Sequence, residues 1–338
     1  MRIKRQLHLW HRYLGIALCL LIALWFASGV VMMYVPYPSL DDQRRLAGLP
    51  ELESAAYLPP DRILADYPEA EGLRLNAASG KPAYVVATPE GQQLLDAITG
   101  EPRRPGRAAA RETARRHSGS DVARASVRRV DQWTVTGNFD PHRPLRQMRV
   151  DDGAGTWVYV SSATGEVVQE VTRWQRGWNW VGAVVHWIYP WQLRQYPELW
   201  RNLVIVLCVP ALALVVTGIA VGIQRLRPRR RYKGNRVTPY QGWQRWHHLL
   251  GVGCAVFLVT FLVSGLLSLN PAGVFDPEAA ATEARRSWGS GPLVPGDPVG
   301  PAERINTHDD VRELVWQRRA GRSLVLIRTP DGTETRSA

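Results

Sequence analysis

The stretch WHRYLGIALCLLIALWFASGVVMMY, residues 10–34, decides the fold, because the chain carries it again in altered form. Trp246-His247-His248-Leu249-Leu250-Gly251 aligns with Trp10-His11-Arg12-Tyr13-Leu14-Gly15 at an offset of 236, and the same offset lays Ser264-Gly265 on Ser28-Gly29. Downstream, SGKPAYVVATPEG (79–91) aligns with AGRSLVLIRTPDG (320–332) at an offset of 241. Offsets that differ by five residues describe one unit, an apolar helix followed by a hairpin module, present twice.

Outward from the first copy, no residue from 13 to 40 is charged. That run is long enough to cross a bilayer core of about 30 Å at about 1.5 Å per residue. Residues 203–223 and 249–269 read as two further spans, with Pro210 tolerable inside a packed membrane helix. The span boundaries expected are 13–35, 201–224 and 246–270. The net charge of +12 would suggest a nucleic-acid surface if it were spread out, but it is not. Residues 1–12 hold Arg2, Lys4, Arg5 and Arg12 without an acid, and residues 225–245 hold eight basic residues without an acid. Both flank span ends and so belong in the cytoplasm. A nucleic-acid partner is excluded on that distribution. Three spans then export residues 36–200 and the tail, which in a bacterium places the protein in the inner membrane with most of its soluble mass in the periplasm. Cys19, Cys208 and Cys254 all lie inside spans, so no disulfide framework exists.

Residues 174–200 are the exception to a simple count. The uncharged run GWNWVGAVVHWIYPWQL (177–193) carries Trp178, Trp180, Trp187 and Trp191. As a span it would move the basic loop outside, whereas dense Trp with Pro190 fits a helix lying in the outer interface. The exported part divides into a module over 36–102, a second over 103–173 and a partial third over 271–338, with a seam at 102–107 and a loop over 276–300. Helices are expected at 60–67 and 106–118, and strands at 84–87, 92–98, 131–138, 145–150, 156–161 and 166–171. The fold class is a membrane protein: three transmembrane helices plus an interfacial helix, with exported α+β modules.

Five of the eight histidines lie at span ends or in the interfacial segment. A lone histidine there is ordinarily interfacial or a cap, but the duplication puts His11 and His247 at equivalent ends of two spans running the same way. Each has a glycine at i+4, Gly15 and Gly251, on the same helix face, where a flat macrocycle needs the absence of a side chain. Gly29 and Gly265 share that face five turns on, about 27 Å away by rise. Small residues also serve helix packing, as Gly218 and Gly222 in span two would. Paired histidines with glycine faces point to bis-imidazole haem b. Zinc is disfavoured because no acid or cysteine accompanies the histidines. His8 and His248 are alternative ligands beside His11 and His247, and His186 would serve a second haem near Gly29 and Gly265. The partner of His186 stays open among Met32, Met33, His142 and His308, while His117 reads as a solvated surface residue.

The ordered set WHRYLG…SG, DAITGE (96–101), GTWVYVSSATGEVV (155–168), VVHWIYPW (184–191), TGIAVG (217–222) and WHHLLG…SG resembles the PepSY-associated transmembrane proteins, a bacterial inner-membrane family. The resemblance covers residues 5–275, with an echo to 338. It implies PepSY-like exported modules, a link to iron acquisition and, as in some members, haem-dependent reduction of ferric siderophores. His11, His186 and His247 match the family's membrane histidines, so the cofactor expected is one haem b, or two. Larger members have a fourth span after the second exported module; this chain ends before one, and a ligand supplied there would be lacking.

Two functional classes follow. The first is an oxidoreductase of ferric-siderophore-reductase type, an electron conduit to an exported ferric complex, with Trp133, Trp157, Arg143, Arg146 and Arg149 as candidate substrate contacts. Its electron donor is external, since no nucleotide- or flavin-binding glycine loop is present. The second is a non-catalytic membrane-anchored module that binds or regulates an exported partner such as a peptidase by sheet-edge pairing. A transporter is disfavoured, because no span carries an acid.

Overall fold

The computed structural model describes residues 2–273 and 300–337, together with 283, 284, 288, 292, 293 and 296. The chain divides into two compact units, one of residues 1–36 with 179–276 and one of residues 37–178 with 277–338.

In the first unit α1 (Arg2–Tyr34) is a single helix of 33 residues, and α8 (Pro197–Arg225) one of 29. Both are long and apolar enough to cross a membrane. α8 continues through Pro210, as a packed membrane helix allows. Leu18 of α1 and Ala211 and Leu214 of α8 form a buried seam, flanked by Leu14, Leu21, Ile22, Trp25 and Leu262; the small Ala211 lets the backbones approach. The third span is not one straight helix. α9 (Gly242–Gly253) and α10 (Ala255–Ser268) meet at a bend of 63°, and count as a span only if taken together. Gly251 and Gly253 lie just before the break, where Cys254 has φ −94° and ψ 8°, so the chain turns where side-chain constraint is least. Between residues 173 and 194 lie three short helices, α5 (Arg173–Val181), α6 (Ala183–His186) and α7 (Trp191–Arg194), rather than one. They are interrupted at Gly182, at Ile188 with φ +51° and at Pro190.

The second unit expresses the duplication as a seven-stranded antiparallel sheet. Its first copy is α3 (Pro60–Asp66), β1 (Gly72–Asn76), β2 (Ala83–Thr88) and β3 (Gly91–Asp96). The second is α11 (Pro301–Ile305), β9 (Glu313–Arg319), β10 (Arg322–Thr329) and β11 (Gly332–Ser337). Pro60 and Pro301, the first residues of the two helices, are separated by the 241 residues of the sequence repeat, as are the first residues of β3 and β11. With β4 (Pro102–Arg103), the strand order is β11-β10-β9-β1-β2-β3-β4. The two copies meet in the middle, β1 against β9, with Arg74 opposite Val315. Those two residues are also 241 apart, so the pairing is a local two-fold about that position. Each copy thereby covers the other's open strand edge. Leu73, Leu75, Tyr84, Leu314, Trp316 and Ile327 fill the core beneath.

A four-stranded antiparallel sheet, β5 (Val122–Arg128), β6 (Leu145–Val150), β7 (Trp157–Ser161) and β8 (Val167–Val171), packs on α4 (Arg107–Ser118) through Ala110, Ala114, Met148 and Val158. No strand forms over 131–138. The Asp131 carboxylate instead accepts from the Trp133 N–H and the Thr134 hydroxyl, and a 3-10 turn follows at Gly137–His142. The missing strand is β5, whose exposed Arg-rich face disguises it. Apart from single positions, the loop expected over 276–300 lies outside the described residues.

Between the two sheets lies a buried ion cluster. Glu313, 0 % exposed, accepts from Arg45 at 2.6 Å, Asn76 at 3.0 Å and Arg74 and Arg328 at 3.1 Å. Arg74 also grips Glu166 with both terminal nitrogens, at 2.6 and 2.8 Å. Burial alone would raise the Glu166 carboxyl, but the Arg74 guanidinium prevails and holds it at about 2. A carboxyl lowered on folding stabilises above its ordinary value of 4.5, and that contribution is lost as pH falls toward 2. Substituting Glu166→Ala leaves Arg74 underpaired, and we expect a loss of about 3–5 kcal/mol at neutral pH. The variant's melting temperature should vary less than the wild type's between pH 5 and pH 2.

Candidate functional site

In the membrane unit the equivalent histidines meet. The rings of His11 on α1 and His247 on α9 have centroids 6.2 Å apart and are tilted by 40°. His11 Nδ1 lies 3.2 Å from the carbonyl oxygen of Leu214 on α8. A carbonyl can only accept, so Nδ1 carries the proton and Nε2 keeps its lone pair. Metal-binding histidines are commonly oriented in this way. The close approach of α8 depends on Gly218, where an added Cβ would stand 2.7 Å from His11 Cε1. His8, one turn earlier, donates Nδ1–H to the Lys4 carbonyl at 2.8 Å, and its Nε2 is shielded without a hydrogen-bond partner.

His248 is different. Its Nε2–H donates to the Gly222 carbonyl at 2.8 Å, and its Nδ1 faces the Thr238 hydroxyl at 2.7 Å. Both nitrogens are engaged and the residue is buried, so ligation would break one of these bonds. It fastens α9 to α8 and to the loop before it. His186 on α6 directs Nδ1 at the Trp25 carbonyl, 3.0 Å away, and at Ser28 Oγ, 3.2 Å away, which again leaves Nε2 its lone pair. Gly29 makes room for this ring, since a Cβ there would lie 3.2 Å from His186 Cε1. The glycines therefore divide. Gly29 receives a histidine, Gly15 packs against Leu214 at 3.8 Å, and Gly251 and Gly265 have nothing within 4 Å of an added Cβ among the described residues. Among those residues no three His, Cys, Asp or Glu converge to hold a bare metal ion. The tautomer-setting carbonyls of Leu214 and Trp25 have no signature in the sequence, although the repeated Ser-Gly marked the neighbourhood of the second.

In the second unit a cleft of about 200 Å³ is lined by Leu40, Arg45, Arg74, His142, Glu166, Val167 and Val168. Its charges are spent on one another. Burial pulls the His142 imidazole below its ordinary value, opposed by Glu166 and aided by Arg74, while Nδ1 lies 3.2 Å from Ser161 Oγ. The candidate substrate contacts turn out differently. Trp133 is a core residue beside Leu145, Tyr159 and Val171. Arg143 holds the backbone carbonyls of Arg129, Thr134 and Thr136, and Arg146 reaches that of Pro105. Trp157 has the guanidiniums of Arg149 and Arg176 over its ring, at 4.7 and 3.9 Å. His117 is not solvated: its side chain is 1 % exposed and pairs with Glu170 at 2.9 Å, beneath Gly48. His308 pairs with Glu334 in the same unit as His142, so neither belongs to the unit that holds His186.

Replacing Thr238 by Val should leave a buried His248 nitrogen unpartnered and cost about 1–3 kcal/mol. A melting temperature in detergent equal to that of the unaltered protein would contradict the bracing role.

Residues 8–325 match a family model described as the PepSY-associated TM region. Neither the curated proteins nor the solved structures compared with the chain gave a match.

Proposed function

The chain belongs to the PepSY-associated TM family, and from that premise we propose that it is an inner-membrane electron-transfer protein that holds haem b between His11 and His247 and reduces a ferric complex, such as a ferric siderophore, on the periplasmic side. The observation that carries this reading is the meeting of two histidines from equivalent positions of the repeat, 6.2 Å apart. A neutral imidazole with a free Nε2 suits haem iron, and the Leu214 carbonyl keeps His11 in that form. Gly218 admits the ring where any side chain would displace it. His186 is arranged alike through Trp25 and Ser28 and is the candidate ligand for a second haem.

Haem bound there supplies reversible one-electron transfer at a potential set by its ligands and burial. The residues around it have the remaining tasks: Leu214 and Gly218 orient His11, and the apolar faces of α1 and α8 keep water away. Reduction of the ferric substrate to Fe(II) weakens a hard-oxygen chelate and lets the metal go.

A reduced-minus-oxidised spectrum of the purified protein tests the reading. We expect a b-type haem signal that is lost in His11→Ala and in His247→Ala with insertion intact, and weakened in Gly218→Val. Absence of any haem signal from the unaltered protein would sink the proposal and favour the non-catalytic partner-binding reading. Haem content per chain unchanged by His186→Ala would remove His186 from the ligand set.

A further inference from the structure

Three arginines gather in the second unit with one acid, Asp152, near them. Arg149 on β6 and Arg176 on α5 both lie over Trp157, and Arg173 opens α5 against Gly155. None of the three pairs with a carboxylate among the described residues. Asp152 attracts Arg176 without forming an ion pair with it, its carboxylate accepting from the Thr156 N–H at 2.8 Å and the Thr156 hydroxyl at 2.6 Å. Burial, with repulsion from Arg173 and Arg149, pulls the Arg176 guanidinium below its ordinary value against the attraction of Tyr159 and Asp152. The net positive charge of this cluster suits an anionic ligand.

Two further observations identify the anion. Beside the arginines α5 presents Trp174, 65 % exposed, and Trp178, 39 % exposed, their rings edge to face at 5.4 Å. Exposed indoles flanked by guanidiniums are the side chains of a bilayer interface. The same helix runs on to Asn179, whose Nδ2 donates to the Pro36 carbonyl at 3.1 Å, two residues beyond the end of α1. The end of α5 is therefore tied to the point where the first span leaves the bilayer. Along the helix axis Arg176 and Arg173 lie about 4.5 and about 9 Å from Asn179. The headgroup layer is itself about 5–7 Å deep on each side.

We propose that Arg149, Arg173 and Arg176, with Trp157, Trp174 and Trp178, form a binding site for the phosphate of an anionic phospholipid headgroup in the outer leaflet. Arg176 also donates to the Val171 and Gly155 carbonyls, at 2.8 and 2.9 Å, so it shapes the site as well as charging it. Arg149 and Arg173 make no side-chain hydrogen bond among the described residues and are free for the headgroup. The site is independent of haem.

The test uses the full chain in phosphatidylcholine nanodiscs doped with photoactivatable phosphatidylglycerol or, at equal mole fraction, photoactivatable phosphatidylcholine. Crosslinks are mapped by mass spectrometry. Labelling over residues 149–178 should favour phosphatidylglycerol, and that preference should fall by about fivefold for each of Arg149→Gln and Arg173→Gln. Neither change removes a hydrogen bond of the fold, and Arg149→Lys with Arg173→Lys should keep most of the preference. Labelling over the basic stretch 225–245 should be the same in all variants. Equal labelling by the two lipids would overturn the proposal, as would a preference unchanged in the Gln variants. Displacement of the label by inorganic phosphate would also overturn it, by identifying a soluble-anion site.

Discussion

Arg74 is the residue on which the sheet-bearing unit depends. It stands at the centre of the β1–β9 pairing, where the two copies of the repeat meet, and its guanidinium spans the carboxylates of Glu166 and Glu313. Glu313 belongs to the second copy and Glu166 to the turn before β8, so one side chain joins both halves of the seven-stranded sheet to the four-stranded one. Desolvated charges are tolerable only when fully paired, which is why Arg45, Asn76 and Arg328 complete the cluster. The local two-fold cannot be exact here. Position 74 is Arg in the first copy and 315 is Val in the second, so the repeat has diverged at its own axis to bind a third element.

The duplication acts twice, once in each unit. In the sheet-bearing unit it closes a sheet edge, and in the membrane unit it brings His11 against His247. Each contact joins equivalent or nearly equivalent positions of the repeat, the geometry that identical units adopt when they associate face to face. Divergence between the copies then supplies what a symmetric pair lacks. α1 is continuous where its counterpart bends by 63°, and Gly29 receives His186 while Gly265 receives nothing among the described residues.

Much of this was legible in the sequence, because apolar length, charge placement and a shared offset are properties of the chain itself. The two long spans, the helices at 60–66 and 107–118 and most of the strands follow from them. β1 was missed because GLRLN is too short and mixed to stand out, and it is a strand only because β2 and β9 flank it. β5 was displaced onto 131–138, where Trp133, Val135 and Asp131 imitate a strand while the Asp131 side chain makes a turn. Arg115 and Arg116 before His117 suggest a solvated position, whereas its pairing with Glu170, 53 residues away, decides its burial. In the membrane unit the histidine pair was legible through the repeat. The division of labour between His247 and His248 was not, since it rests on Thr238 and the Gly222 carbonyl.

Charge separates the two halves of the functional account. Residues 1–12 and 225–245 carry most of the excess positive charge, and the second unit adds a smaller cluster of arginines around Trp157. The central claim concerns the membrane unit: His11 and His247 together ligate one haem. Electron paramagnetic resonance of the oxidised protein tests it most directly. Two imidazole ligands predict a low-spin ferric signal that disappears when either histidine is replaced by alanine. A low-spin signal that persists in both single variants would contradict the claim.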